Sequence, residues 1–143
     1  MATTTAAVTL TSDLLSDEMS ISATTTCMKA GTTADGLDQM EYGYVDVTSG
    51  TAYDIIGNAP TAGKATKLYV KNHSEDETYY ISVVVDAEAI GRLYGGPGGT
   101  GDWMFIPADF HDGSADIEIT ATGGASQTVC YALFHEGTVL VAS

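Results

Sequence analysis

The residues best suited to bind a metal ion lie together in one short loop of the sequence. Asp109, His111 and Asp112 fall within a few positions of one another, and carboxylate oxygens are ligands that divalent cations prefer. Their spacing is not that of a calcium-binding loop, and Asp is also common in turns because its side chain bonds to the backbone. His73 and His135 lie far from this loop along the chain. We interpret the loop as a turn and expect neither a metal nor a cofactor.

A pair of carboxylates that could act as general acid and base occurs at Asp116 and Glu118. Residues two apart on a strand share a face, so the two groups would lie side by side. Ile117 and Ile119 alternate with them and mark the opposite face as the one that packs in the core. The carboxylates then form a solvated stripe. Because the sequence also has no nucleophile elbow, we expect no catalytic residue and no enzyme.

A glycine-rich segment at residues 95–101, GGPGGTG, is the closest the sequence comes to a phosphate-binding loop. Such a loop needs a following Lys, a Ser or Thr for the metal ion, and the start of a helix. The strand-like segment DWMFIP follows instead. We therefore interpret residues 95–101 as a flexible loop or the tip of a hairpin.

Five tyrosines in or beside strand-like segments could form a platform for sugars, because the ring is apolar and the hydroxyl is polar. They are Tyr42, Tyr44, Tyr79, Tyr80 and Tyr94. Packing between strands explains them equally well. The sequence leaves a carbohydrate-binding role open.

The charge of the chain limits its partners. Acidic side chains number 19 against five basic ones, which gives a formal net charge of −14. Such a chain is repelled by DNA, RNA and anionic lipid. No stretch of about 18 apolar residues is present, and no basic leader precedes an apolar segment at the start. We expect no nucleic-acid partner, no membrane partner and no secretory signal.

Two cysteines lie far apart, each flanked by strand-like sequence. Cys27 stands in TTTCMKA and Cys130 in TVCYALF. This placement is typical of small buried apolar side chains and not of a CxxC redox motif. We predict two buried thiols and no disulfide.

Short apolar or alternating segments separated by polar turns predict an all-β protein. About eight to ten strands are expected, and no long amphipathic helix is available for crossovers in a parallel sheet. We predict one domain over residues 1–143, built as a β-sandwich or a jelly-roll-like barrel. Residues 65–136 form its compact, strand-rich core. Residues 1–26, rich in Thr, Ser and Ala, read as two strands around a turn and form a segment used for docking.

Alternation assigns faces within this core. Leu68 and Val70 share one face of the strand KLYVK, and both faces of DWMFIP are apolar, with Trp103 and Phe105 on one of them. The segments ADIEITA and TVCYALF are predicted to form the closing hairpin.

The order of these segments resembles that in small virion structural proteins of tailed cyanobacterial phages. The resemblance rests on LTSDLLSDEMSISAT, KAGTTADGLDQ, KLYVKNHSEDETYYISV, AIGRLYGG, GDWMFIP, DIEITAT and TVCYALFHEG. It covers most of the chain and carries no catalytic motif. The segment GGPGGTG is longer than the usual turn before DWMF, and the acidity is high.

The resemblance implies a non-enzymatic head decoration or cement (knob) protein on the outside of the capsid. The alternatives are a tail, neck or fibre-base component and a carbohydrate-binding adhesion module. We expect synthesis in the host cytoplasm, location in the virion, and partners that are the major capsid protein, neighbouring virion proteins or further copies in a homo-oligomer. The candidate interface residues are Leu10, Leu14, Leu15, Tyr94, Trp103 and Phe105.

Overall fold

The computed structural model of the chain describes residues 4–12, 19–27, 37, 39–56, 66–85, 87–108 and 117–135. These residues form ten strands and one short 3-10 turn at Pro97–Gly99. The strands are β1 (Thr5–Ser12), β2 (Met19–Thr26), β3 (Gln39–Thr48), β4 (Tyr53–Ile56), β5 (Thr66–Asn72), β6 (Tyr80–Val85), β7 (Glu88–Tyr94), β8 (Trp103–Ala108), β9 (Ile117–Thr122) and β10 (Ser126–His135).

Eight of these strands make two four-stranded sheets that pack face to face. The front sheet has the order β3-β10-β5-β8 and the back sheet has the order β4-β9-β6-β7. Every ladder between these strands is antiparallel. The sheets do not close into a barrel, so the predicted all-β sandwich is confirmed and the barrel alternative is not.

Apolar side chains from the inner faces of both sheets form one core. Its buried members are Val47, Ile55, Leu68, Val70, Ile81, Val83, Leu93, Ile117, Ile119, Ala121, Val129 and Leu133. The strands β3 and β4, which precede residue 65, thus contribute to the same core as residues 65–136. The predicted faces are confirmed, since Leu68 and Val70 are fully buried while Trp103 is exposed on the opposite face of the sheet.

The predicted closing hairpin is wrong, because β9 and β10 belong to different sheets. The turn between them passes from the back sheet to the front sheet. Gly123 and Gly124 have φ angles of 108° and 64°, which only glycine adopts without strain, and the ring of Tyr79 packs where a Cβ would lie. A glycine pair marks the turn, but the same signal fits a hairpin and a crossing between sheets.

The segment at residues 95–101 also crosses between sheets, from β7 to β8, and is not the tip of a hairpin. The Gly96 N–H donates to the Ser74 carbonyl over 2.8 Å. A Cβ on Gly101 would overlap the carbonyl oxygen of Asn72, so glycine is needed for this close approach. The glycines therefore serve packing and connection.

Two buried amide side chains join the sheets where these crossings occur. Gln127 on β10 donates from Nε2 to the carbonyls of Tyr80 and Thr122 in the back sheet, over 3.0 and 2.9 Å. Asn72 on β5 donates from Nδ2 to Gln127 Oε1 and to the Leu93 carbonyl, both over 3.0 Å. Each amide thus bonds to a carbonyl of the other sheet, and Asn72 and Gln127 themselves gain the partners that buried polar groups need.

Replacing Gln127 with Leu should destabilise the protein by about 2–4 kcal/mol, because the Asn72 amide loses one of its two acceptors and the carbonyls of Tyr80 and Thr122 lose the Gln127 amide. Chemical unfolding followed by the fluorescence of Trp103 measures this loss. Thr128→Val is the matched control, since the Thr128 hydroxyl bonds to Asp46 at the surface and its loss should cost less than about 1 kcal/mol. Equal costs for the two variants would show that the amide pair does not join the sheets.

Candidate docking surface

The outer faces of the two sheets carry different sets of side chains. Residues directly opposite in an antiparallel ladder share a face, so the register gives the membership of each face. The outer face of the front sheet, here called the aromatic face, includes Met40, Tyr42, Tyr44, Lys67, Tyr69, Lys71, Trp103, Phe105, Cys130, Ala132 and Phe134, with Asp46 and Thr128 at one end. The outer face of the back sheet includes Asp54, Tyr80, Ser82, Arg92, Tyr94, Glu118, Thr120 and Thr122.

The aromatic face leaves large apolar side chains in contact with water. Met40, Tyr42 and Tyr44 on β3 are 63%, 60% and 59% exposed, and Trp103 on β8 is 47% exposed. Contiguous exposed apolar residues of this kind typically mark a surface that binds a partner. The aromatic face is therefore the candidate functional site.

Ring contacts order the side chains at both edges of this face. The rings of Tyr42 and Tyr44 meet edge to face with their centroids 6.0 Å apart, and those of Tyr69 and Trp103 are tilted by 35° at 6.2 Å. His73 adds an edge contact to Tyr44 at 5.2 Å. Rings that are already positioned lose little conformational entropy when a partner covers them.

Hydrogen bonding and burial change the acidity of the phenols on this face. The pKa of Tyr44 is raised to about 12. The main cause is a hydrogen bond with the Tyr42 side chain, and the nearby Cys130 thiol is the second cause. Burial raises the pKa of Tyr69. Both phenols are consequently neutral at physiological pH, and the charged residues of the aromatic face are Lys67, Lys71 and Asp46.

The hairpin formed by β1 and β2 lies partly over this face. Residues 6–8 of β1 and the side chains of Tyr69, Lys71, Trp103 and Phe105 enclose a groove of about 310 Å³. Residues 4–6 border a second groove of about 300 Å³ with side chains that include Met40 and Tyr42. The hairpin thus borders side chains of all four strands of the front sheet, among which Met40 and Tyr42 stay about 60% exposed.

Both cysteines are buried and free, as predicted. Burial raises the pKa of the Cys27 thiol, and the nearby Lys67 opposes this shift. Cys130 lies on the aromatic face between Tyr44 and Lys71 in the register of the sheet. The two thiols help to pack the region beneath the hairpin.

The structure brings together two of the predicted interface residues and separates the others. Trp103 and Phe105 lie side by side on the aromatic face. Leu10 is on the hairpin, and Tyr94 is on the back sheet, where its ring contacts Tyr80 at 5.4 Å. Leu14 and Leu15 lie outside the described residues.

The tyrosines considered as a sugar platform do not form one surface. Tyr42 and Tyr44 belong to the front sheet, whereas Tyr80 and Tyr94 belong to the back sheet. Arg92 covers the Tyr80 ring at 4.3 Å from its centroid, which occupies that ring within the molecule. Sequence analysis did not assign Met40, Tyr69 or Phe134 to the site, although the alternation in QMEYGYVDVT places Met40, Tyr42 and Tyr44 on one face.

The described residues contain neither a cluster of metal ligands nor a helix that could span a membrane. Among them, no three His, Cys, Asp or Glu side chains lie close enough together to share a metal ion. The loop with Asp109, His111 and Asp112 lies outside the described residues, as does Asp116. No helix among the described residues is long and apolar enough to cross a membrane.

No family model, curated protein or solved structure matches this chain. The fold and surface define an antiparallel β-sandwich in which most of the large exposed apolar side chains of the two sheets lie on the aromatic face, while the back sheet exposes Ile90 and Tyr94.

Titration should find Tyr44 ionising at about pH 12, above the ordinary tyrosine value of 10.0. The difference in tyrosinate absorbance between the wild type and Tyr44→Phe isolates this group. Since the pKa in the folded state is the higher one, the phenol contributes stability below about pH 10, and this contribution is lost as the pH rises through about 12. Tyr42→Phe should return the pKa toward 10.0. An unchanged value in Tyr42→Phe would rule out the hydrogen bond as the cause.

Proposed function

We propose that this protein is a non-enzymatic structural protein of a phage particle, and specifically a head decoration or cement protein bound to the outside of the capsid. The observation that carries the proposal is the aromatic face, which exposes ordered apolar side chains on one side of the sandwich. The resemblance of the sequence to virion proteins of cyanobacterial phages gives the class of particle. The major capsid protein is the partner proposed for this face.

The two outer faces suit a part that attaches on one side only. Fully burying a large apolar side chain contributes about 1.5–3 kcal/mol, and the residues of the aromatic face already have about half of this burial. The binding free energy of such a contact is modest for a single copy. Repetition over a shell of many copies strengthens attachment through multivalency.

The charge supports an outward-facing position for the rest of the molecule. The net charge of −14 keeps the subunit soluble and repels the packaged nucleic acid. Polar and charged side chains such as Arg92, Glu118 and Thr120 lie on the outer face of the back sheet. In the proposed orientation the back sheet faces solvent.

A carbohydrate-binding adhesion module is the second candidate, and one feature favours it. The groove of about 310 Å³ is walled by the rings of Tyr69, Trp103 and Phe105, with Lys71 beside them. Aromatic rings and a polar group are suited to the apolar and hydroxyl faces of a sugar. Glycan binding that is lost in Trp103→Ala would favour this candidate over the structural one.

Copy number in purified virions tests the proposed location. Quantitative mass spectrometry should find the protein in hundreds of copies per particle, in a fixed ratio to the major capsid protein. About six to twenty copies would instead indicate a ring in the tail or neck, since such rings have cyclic symmetry. Absence from particles would refute the virion role.

Trp103→Ala should reduce the occupancy of the protein on particles about tenfold, because a half-exposed indole is lost from the proposed contact. Tyr94→Ala is the matched control, since Tyr94 is 39% exposed but lies on the back sheet. Occupancy is measured after adding each purified variant to particles that lack the protein, and circular dichroism checks that both variants fold. Equal loss for the two variants would place the contact elsewhere.

A further inference from the structure

The β1–β2 hairpin stands apart from the sandwich on which it lies. Its two strands pair with each other and form a separate two-stranded sheet. The cluster of buried and partly buried apolar side chains between the two four-stranded sheets takes all of its described members from strands β3 to β10. The sandwich therefore closes its core without a contribution from the hairpin.

The hairpin touches the aromatic face through one side of β1. Thr4, Ala6 and Val8 are half-buried and border the grooves, whereas the alternate residues Thr5 and Ala7 are exposed. Residues 20–26, which belong to β2, are exposed throughout. Because the stabilisation from burial grows with the apolar area removed from water, small side chains that are half-buried hold the hairpin only weakly.

The packing beneath the hairpin is also incomplete. Grooves of about 310 and 300 Å³ lie between residues 4–8 and the aromatic face. Protein cores are close-packed and leave few voids larger than a water molecule, which takes up about 30 Å³. The contact between the hairpin and the face is thus far less dense than a core.

One end of the hairpin is fixed, and the other end is not. Cys27 directly follows β2 and is fully buried, and Leu37 is 3% exposed. The Cys27 N–H donates to the Thr4 carbonyl over 2.8 Å, and the Leu37 N–H donates to the Cys27 carbonyl over 3.1 Å. Towards the far end of the ladder, the paired residues Leu10 and Ile21 are 52% and 49% exposed. Burial therefore falls from an anchored base at Cys27 to a free end.

The surface under the hairpin is apolar and is ordered by the sheet itself. Ala132 on β10 lies on the outer side of the front sheet, yet it is only 7% exposed and lines a groove with residues 4–6. Tyr69 and Phe105 line both grooves. The Tyr69 ring contacts the Trp103 ring within the sheet. Removal of the hairpin would thus extend the exposed apolar surface without loss of this ring contact.

We infer that the β1–β2 hairpin is a strap, hinged at Cys27, that swings off the aromatic face while the sandwich stays folded. Segments with few buried apolar contacts open at a free energy well below that of global unfolding. The closed strap masks Ala132 and parts of Tyr69 and Phe105, and the open strap uncovers them. A partner that binds the uncovered face shifts the equilibrium towards the open form. The motion is a property of the chain alone, and only its role in admitting a partner rests on the proposed function.

Hydrogen exchange of the full-length wild type, followed by NMR, tests whether the strap opens on its own. The hydrogen-bonded amides of the β1–β2 ladder should exchange at least about a hundredfold faster than those of β10, because they open without the core. Exchange of both sets of amides at one common rate would mean that the hairpin leaves the face only when the whole protein unfolds, and this result overturns the inference.

A thiol placed under the hairpin tests whether the opening uncovers the face. In Ala132→Cys, the new thiol should react with N-ethylmaleimide more slowly than glutathione does, but faster than the β10 amides open. Peptide mapping separates it from the native thiols of Cys27 and Cys130. Reaction as fast as that of glutathione contradicts a closed strap, and reaction no faster than the opening of β10 contradicts a separate motion.

Two substitutions on opposite sides of β1 test the contact that holds the strap closed. In the Ala132→Cys background, Val8→Gln should speed the labelling roughly tenfold, because a half-buried apolar side chain leaves the contact. It should also increase the binding of Nile red, a neutral dye that reports exposed apolar surface. Thr9→Gln is the matched control, since Thr9 is exposed, and it should change neither readout. Hydrogen exchange in β10 shows that both variants keep the folded sandwich.

Equal effects of Val8→Gln and Thr9→Gln would overturn the inference, and so would faster labelling without more bound dye. These measurements use the purified protein and no particles. A protein that is absent from virions would therefore refute the proposed function and leave the strap standing, whereas an immobile hairpin would refute the strap and leave the virion role standing.

Discussion

The buried amide pair of Asn72 and Gln127 is the constraint on which the rest of the sandwich depends. The chain crosses between the sheets at residues 95–101 and at Gly123–Gly124, and the carbonyls of Tyr80, Leu93 and Thr122 lie partly or fully buried near these crossings. Unpaired, each would cost about 1–3 kcal/mol. Gln127 binds the carbonyls of Tyr80 and Thr122, and Asn72 binds that of Leu93 and Gln127 itself. Two side chains therefore set the distance and alignment of the sheets at this end.

Once the sheets are fixed in this way, the core takes side chains from only one face of each strand. Apolar side chains on the other face stay outside the core. Leu68 and Val70 fill the core, but Tyr69 between them must point outward because side chains alternate along a strand. The same holds for Trp103 and Phe105 in β8. The aromatic face is thus a consequence of strands that are apolar on both sides in a sandwich that buries only one.

The sequence predicts features that depend on residues within one strand, and it does not predict features that depend on which distant strands pair. Alternation assigned Ile117 and Ile119 to the core and placed Leu68 and Val70 together on one face of their strand, and the structure has all four buried. Alternation cannot say which strand lies beside which, because ladder partners such as β10 and β3 are far apart in sequence. The glycine pair between β9 and β10 therefore suggested a hairpin.

Only part of the candidate site was predicted, because the sequence places residues on a common face only when they belong to one strand. Trp103 and Phe105 were placed on one face because they belong to one strand. Tyr94 was grouped with them, but it is in the back sheet, and a single sequence holds no signal for that separation. Alternation puts Tyr69 on the other face of its strand from Leu68 and Val70, yet its meeting with Trp103 depends on the pairing of β5 with β8. The site could be assembled only once the register was known.

The acidity of the chain opposes unspecific association through its exposed apolar surface. A long edge strand such as β3 is ordinarily a liability, because its backbone groups and apolar side chains can pair with any copy. Here a charge of −14 repels approaches between copies. Screening limits this repulsion to about 8 Å at physiological ionic strength, so it acts on close contact and not on distant copies. Asp46 lies two residues beyond Tyr44 on the same exposed side of β3, so negative charge is present at this edge itself.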